Sequence, residues 1–170
     1  EALIVVGGDG TLDSARVIQE AGMPVIGIPK TIDNDMVASN PTIGFNSAVE
    51  NAVDAIRKLR TTAFSHRRVM VVEIMGRTSG YLTLHCGFVA GADIILLPEQ
   101  DYDLNVVCNK VREVMQSGKR YVIIAASEAS KEKGKEETIA RIVEDSFEQK
   151  RYGGVAAKLA AQIEEITGYE

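Results

Sequence analysis

Residues 3–11, LIVVGGDGT, decide how this sequence is read. Leu3–Val6 is a continuous apolar run, which suits a strand buried on both faces rather than one with a wet side. A glycine-rich turn follows, and Leu12–Ala21 then takes up helical spacing until Gly22, a natural helix stop. A buried strand that turns through glycine straight into a helix is the opening of a βαβ unit.

Working outward, the same alternation recurs. Further strands are expected at Pro24–Ile28, Val69–Ile74, Ile94–Leu97 and Tyr121–Ala126. Further helices are expected at Thr42–Leu59, Thr78–Val89, Leu104–Met115, Glu137–Phe147 and Gly154–Ile166. In Thr42–Leu59 the residues Ala48, Val49, Ala52, Val53 and Ile56 fall on one helical face. Thr78–Val89 is mostly apolar and is expected to be buried. The run SKEKGKEE at residues 130–137 reads as a solvated charged loop. Strands alternating with helices predict an α/β protein with a mostly parallel sheet.

Apolar residues make up 45% of the 170 and charged residues 25%, a composition that supports a packed core. The net charge of −5 provides no basic face, which argues against nucleic acid as a partner. No apolar run is long enough to span a bilayer, so no membrane partner is expected. Cys86 and Cys108 sit apart in apolar stretches without metal-ligand spacing, and they read as buried reduced thiols in a cytoplasmic protein. The chain enters a core strand at once and ends directly after a helix, so a piece of a longer protein is expected; a small complete domain with short ends is the alternative.

Chemistry-bearing residues gather at predicted strand ends, where open parallel sheets place their ligands. In Gly7–Thr11 the glycines let backbone approach a phosphate, and the following helix N-terminus supplies free N–H groups. Asp9 there suits Mg²⁺, and Thr11 suits a phosphate oxygen or a helix cap; a plain strand–helix turn explains the motif equally well. Pro29–Asp35, PKTIDND, places Lys30 beside two carboxylates, Asp33 and Asp35, which suits a base next to a transferring phosphate. An Asx-rich turn is the plainer alternative. Arg77, after Glu73-Ile74-Met75-Gly76, suits charge developing on a moving phosphoryl group, and His66-Arg67-Arg68 is a small basic cluster upstream. Ser127-Glu128 ends the fifth strand with a carboxylate able to accept from sugar hydroxyls.

Taken in order, GGDGT at Gly7–Thr11, PKTIDND at Pro29–Asp35, MGR at Met75–Arg77 and the Ser127-Glu128 strand end resemble the phosphofructokinase family over nearly the whole chain. The resemblance implies a three-layer α/β/α fold and a central segment of the catalytic region, residues 1–170. The family's N-terminal donor loop and C-terminal sugar-phosphate clamp would lie outside it. It implies transfer of a phosphoryl group from ATP to the C1 hydroxyl of fructose 6-phosphate, with Mg²⁺ as cofactor, in the glycolytic cytoplasm. By resemblance Asp33 is the base, Thr31 lies at the transferring group, and Asp35 supports the loop. Ile32, Met75, Gly76, Arg77 and Glu128 hold sugar phosphate, while Gly8, Asp9, Gly10, Thr11 and Lys30 line the donor, with Asp9 serving the metal. Arg68 resembles an arginine that reaches a neighbouring subunit's site, which implies a homo-oligomer. Glycine at position 10 goes with ATP in the family and lysine at position 30 with pyrophosphate; the reading leans to ATP, with pyrophosphate as the alternative donor. Two readings of other classes stand beside it: a nucleotide-binding regulatory module without turnover, and an α/β scaffold whose polar strand ends are only turns.

Overall fold

The computed structural model describes residues 1–37, 41–143 and 149–170. Among the described residues, six strands pair in parallel in two groups of three. β1 (Leu3–Gly7) pairs with β2 (Val25–Thr31) from Leu3 opposite Val25 to Gly7 opposite Pro29. A two-residue strand absent from the sequence reading, β3 (Ile43–Gly44), joins the other edge of β2. The helix α1 (Asp9–Glu20) connects β1 to β2 and packs on both.

In the second group β6 (Val122–Ser127) lies between β4 (Val69–Ile74) and β5 (Ile94–Leu96). All six residues of β6 are buried, because helices cover both faces. Val122, Ile124 and Ala126 point into one core with α4 (Leu104–Gln116) and α5 (Val155–Thr167). Ile123 and Ala125 point into the other with α2 (Phe45–His66) and α3 (Tyr81–Ala90). This is the helix–sheet–helix layering expected of a doubly covered parallel strand. Each fully buried Ile or Val there contributes roughly 1.5–3 kcal/mol by removing its side chain from water.

Several expectations are corrected. Glu137–Phe147 does not form a helix: β7 (Ile139–Val143) pairs antiparallel with β8 (Gln149–Tyr152), and the rest of that expected helix lies partly outside the described residues. The helix expected at Thr78–Val89 begins at Tyr81 and is buried on one side only; Phe88 is 80% exposed, and Tyr81 and Leu84 are exposed with it. The charged loop after β6 is tied down rather than merely solvated. Ser130 Oγ donates to Leu96 O at 2.9 Å, and Tyr102 bonds the backbone of Lys131 and Lys133. Both cysteines are free and buried as expected, and burial pushes the Cys86 thiol up to about 11. Among the described residues, no helix is long and apolar enough to cross a membrane.

Candidate active site

The first wall of the site is the β1–α1 junction. Gly7 ends β1, Gly8 precedes the helix, and Asp9 is already its first residue, three positions earlier than expected. A Cβ on Gly7 would lie 2.4 Å from Thr11 Cβ, so the tight turn requires glycine there. Thr11 does not cap the helix, which has no side-chain cap at Gly8. A Cβ on Gly10 would meet nothing within 4 Å, because Gly10 faces open space.

The second wall is the end of β2 and the loop after it; the strand, expected to stop at Ile28, runs on through Pro29, Lys30 and Thr31, because Lys30 and Thr31 pair with β3. Thr31 Oγ1 accepts from Asp33 N at 3.2 Å, and Thr42 Oγ1 donates to Thr31 O at 2.9 Å. Asn34 takes a left-handed backbone (φ 53°), and its Oδ1 accepts from Thr42 N at 3.0 Å. Asparagine tolerates that conformation and satisfies the neighbouring backbone at once. The loop is thereby folded back on β3, with Asp33 half-buried.

The third wall is the turn after β4. Gly76 (φ 144°) and Arg77 (φ 51°) both occupy the left-handed half of backbone space. A Cβ on Gly76 would lie 2.6 Å from Ser79 O. A non-glycine residue such as Arg77 is held there only by its surroundings. Glu128 supplies them: its Oε1 accepts from Gly76 N at 3.2 Å and Arg77 N at 2.8 Å, while its own N–H donates to Ile74 O at 2.9 Å. Glu128 therefore shapes the arginine turn, a role the sequence did not reveal.

The three walls enclose one crevice of about 710 Å³. Gly8, Asp9, Gly10, Thr11, Lys30, Thr31, Ile32, Asp33, Asp35, Met75, Arg77 and Glu128 all line it. Gly76 is one bond away through its contact with Glu128. Arg68 is not brought to the crevice: it stands before β4, at the opposite end of that strand, and pairs with Glu170. The sequence reading missed Ser14 on the α1 wall, Ser79, whose Oγ donates to Asp33 O at 3.2 Å, and Glu99, whose Oε1 accepts from Gly80 N at 2.7 Å. Each is an ordinary polar residue in sequence, given a role only by its neighbours. A second concavity of about 570 Å³ lies along α2, between Asn46 and Arg57 beside Val89, and gathers no strand ends.

Burial pushes the Asp33 carboxyl above its usual range, and the nearby Asp35 charge adds to the effect; Arg77 and the Thr31 hydrogen bond pull the other way. A carboxylate raised toward neutrality beside a cation is well placed to take a proton. For magnesium, Asp9 presents one exposed carboxylate on the crevice wall, and the described residues form no cluster of three or more acidic, His or Cys ligands. That donor set fits Mg²⁺, which is commonly held by one or two carboxylates together with substrate phosphates and water.

A parallel α/β fold whose polar loops from three strand ends line one crevice, with a half-buried carboxylate near a guanidinium, defines the class of this domain. The chain belongs to the phosphofructokinase family, whose model, described as phosphofructokinase, matches residues 1–170. It is 49% identical over 164 residues to ATP-dependent 6-phosphofructokinase 2 of Clostridium perfringens, covering 96% of this chain and 45% of that one. It is 44% identical over 175 residues to the pyrophosphate–fructose 6-phosphate 1-phosphotransferase of Streptomyces coelicolor, covering 100% of this chain and 50% of that one. Among solved structures, phosphofructokinase of Saccharomyces cerevisiae superposes with a TM-score of 0.72 at 30% identity, over 77% of this chain and 21% of that one. The chain thus spans about half the length of the curated relatives it matches.

Proposed function

We propose that this chain carries the reacting centre of a 6-phosphofructokinase, which transfers the terminal phosphoryl group of ATP to the C1 hydroxyl of fructose 6-phosphate. The observation that carries this reading is the meeting of Asp33 and Arg77, from separate strand ends, in one crevice with Asp9 and Gly10. Asp33 accepts the C1 hydroxyl proton as that oxygen forms its bond to phosphorus, and the bond from phosphorus to the leaving oxygen breaks, giving fructose 1,6-bisphosphate and ADP. Arg77 lies against the charge that spreads over the phosphoryl oxygens. Thr31 borders the transferring group, and Asp35 supports the Asp33 loop. Ile32, Met75, Gly76 and Glu128 flank the sugar phosphate. Gly8, Gly10, Thr11 and Lys30 border the donor. Asp9 would hold Mg²⁺, which supplies charge neutralisation on the donor phosphates. In this reading the enzyme works in the cytoplasm as a homo-oligomer, with Arg68 directed at a neighbouring subunit.

Pyrophosphate is the second donor to weigh. Open space beyond Gly10 favours the bulkier nucleotide, whereas Lys30 on the same crevice suits the denser charge of pyrophosphate. Steady-state assays of the full-length protein with each donor decide between them. In the same assays Asp33→Asn is expected to lower kcat about 10²–10⁴-fold, the usual worth of a general base. Wild-type turnover retained in that variant would sink the assignment, and ligand binding without turnover in the wild type would leave a regulatory module.

A further inference from the structure

Glu128 and Glu99 both fasten the Met75–Gly80 turn to its own half of the molecule, the sheet β4–β6–β5 and the α3 N-terminus. Neither contact fixes the turn against the loop that bears Asp33. Ser79 makes that connection: its hydroxyl donates to the main-chain carbonyl of Asp33 at 3.2 Å, and its own N–H donates back to Gly76 O at 2.9 Å. Ser79 is buried, so water competes weakly for its bond. A backbone carbonyl as acceptor leaves no trace in the sequence, and for that reason the residue passes as an ordinary turn serine.

We propose that Ser79 is a positioning residue that locks the Asp33 loop to the Arg77 turn and thereby sets the separation of carboxylate and guanidinium around the reacting phosphoryl group. The proposal rests on the phosphoryl-transfer reading given above. Two loops from different sheets have no covalent reason to keep a fixed spacing, and misplacement by about 1 Å can cost on the order of 10²-fold in rate. The same spacing governs how strongly Arg77 offsets the effects of burial and of Asp35 on Asp33.

Full-length protein carrying Ser79→Ala is expected to lose about tenfold in kcat, with KM for fructose 6-phosphate within about twofold of wild type. The thermal midpoint should stay within about 2 °C, since one hydrogen bond is worth about 1 kcal/mol. Ser79→Cys keeps a weaker donor in nearly the same volume and should fall between the two. Independently of turnover, hydrogen exchange over residues 29–36 and 75–80 should rise together in Ser79→Ala. Unchanged kcat overturns the proposal, as does a loss of kcat that Ser79→Cys does not relieve, or faster exchange confined to one segment. A wild-type protein without turnover would overturn the kinase reading instead, and the exchange experiment alone would then decide the role of Ser79.

Discussion

The two three-stranded sheets contribute opposite things to one crevice. The β4–β6–β5 sheet is covered by helices on both faces, and its middle strand is wholly buried. The β1–β2–β3 sheet packs α1 on one side, through contacts such as Leu12 over Gly27, and leaves Ile4, Val6 and Ile26 exposed on the other. Arg77 and Glu128 thus project from a block covered on both faces, whereas Asp9 and Asp33 project from a thinner one. Contacts that cross between them, such as Ser79 to Asp33, carry a burden that neither sheet carries alone.

Core truncation tests that contrast most severely. Ile124→Ala in β6 should cost about 2–5 kcal/mol in chemical denaturation, because the two helix layers cannot close the cavity. Ile4→Ala, at a residue 63% exposed, should cost about 1 kcal/mol or less. A cost at Ile4 equal to that at Ile124 in the full-length protein would break the comparison, by placing another polypeptide surface over β1. At the β1–α1 junction, two glycines three residues apart should behave in opposite ways. Gly7→Ala drives a methyl into Thr11 and should cost roughly 1–3 kcal/mol. Gly10→Ala meets open space in the first turn of a helix and should raise the thermal midpoint by about 1–3 °C, from a propensity gain of roughly 0.5–1 kcal/mol; it also adds bulk to the crevice wall.

The smallest effect concerns pH. The carboxyl of Asp33 lies higher in the folded protein than in the unfolded chain, so its ionisation opposes folding. Its favourable contribution is complete below the ordinary carboxyl range, near pH 4, and is lost as pH rises through the raised folded value. Asp33→Asn should therefore be slightly more stable than its parent at pH 7, and the gain should vanish toward about pH 3. Thermal melts across that range would show it. A variant less stable than wild type at pH 7 would mean that hydrogen bonds to the carboxylate outweigh its burial.

The strands that hold the site were legible as short, mostly apolar runs; β2 nevertheless runs on through Pro29–Thr31 past its expected end at Ile28, and β1, expected to be buried on both faces, is exposed on one. The Ile139–Val143 strand was not legible, since glutamates and spaced apolar residues satisfy a helical period equally well; pairing with Gln149–Tyr152 selects the extended form. The α3 boundary was misplaced for a related reason. Thr78–Gly80 belong to a turn whose conformation is held by Glu99 and Glu128, both distant in sequence.

From sequence alone came the α/β class, the strand-end motifs and the membership of Asp9, Lys30, Asp33, Arg77 and Glu128 in one crevice, because parallel sheets deliver their loops to a common edge. Only the tertiary structure decided that Glu128 shapes the arginine turn and that Ser79 ties the two loops together. Local patterning reports which face of an element avoids water. The hydrogen bonds of Glu128 and Ser79 join residues 46 to 52 positions apart, and such pairings exist only once the chain has closed on itself.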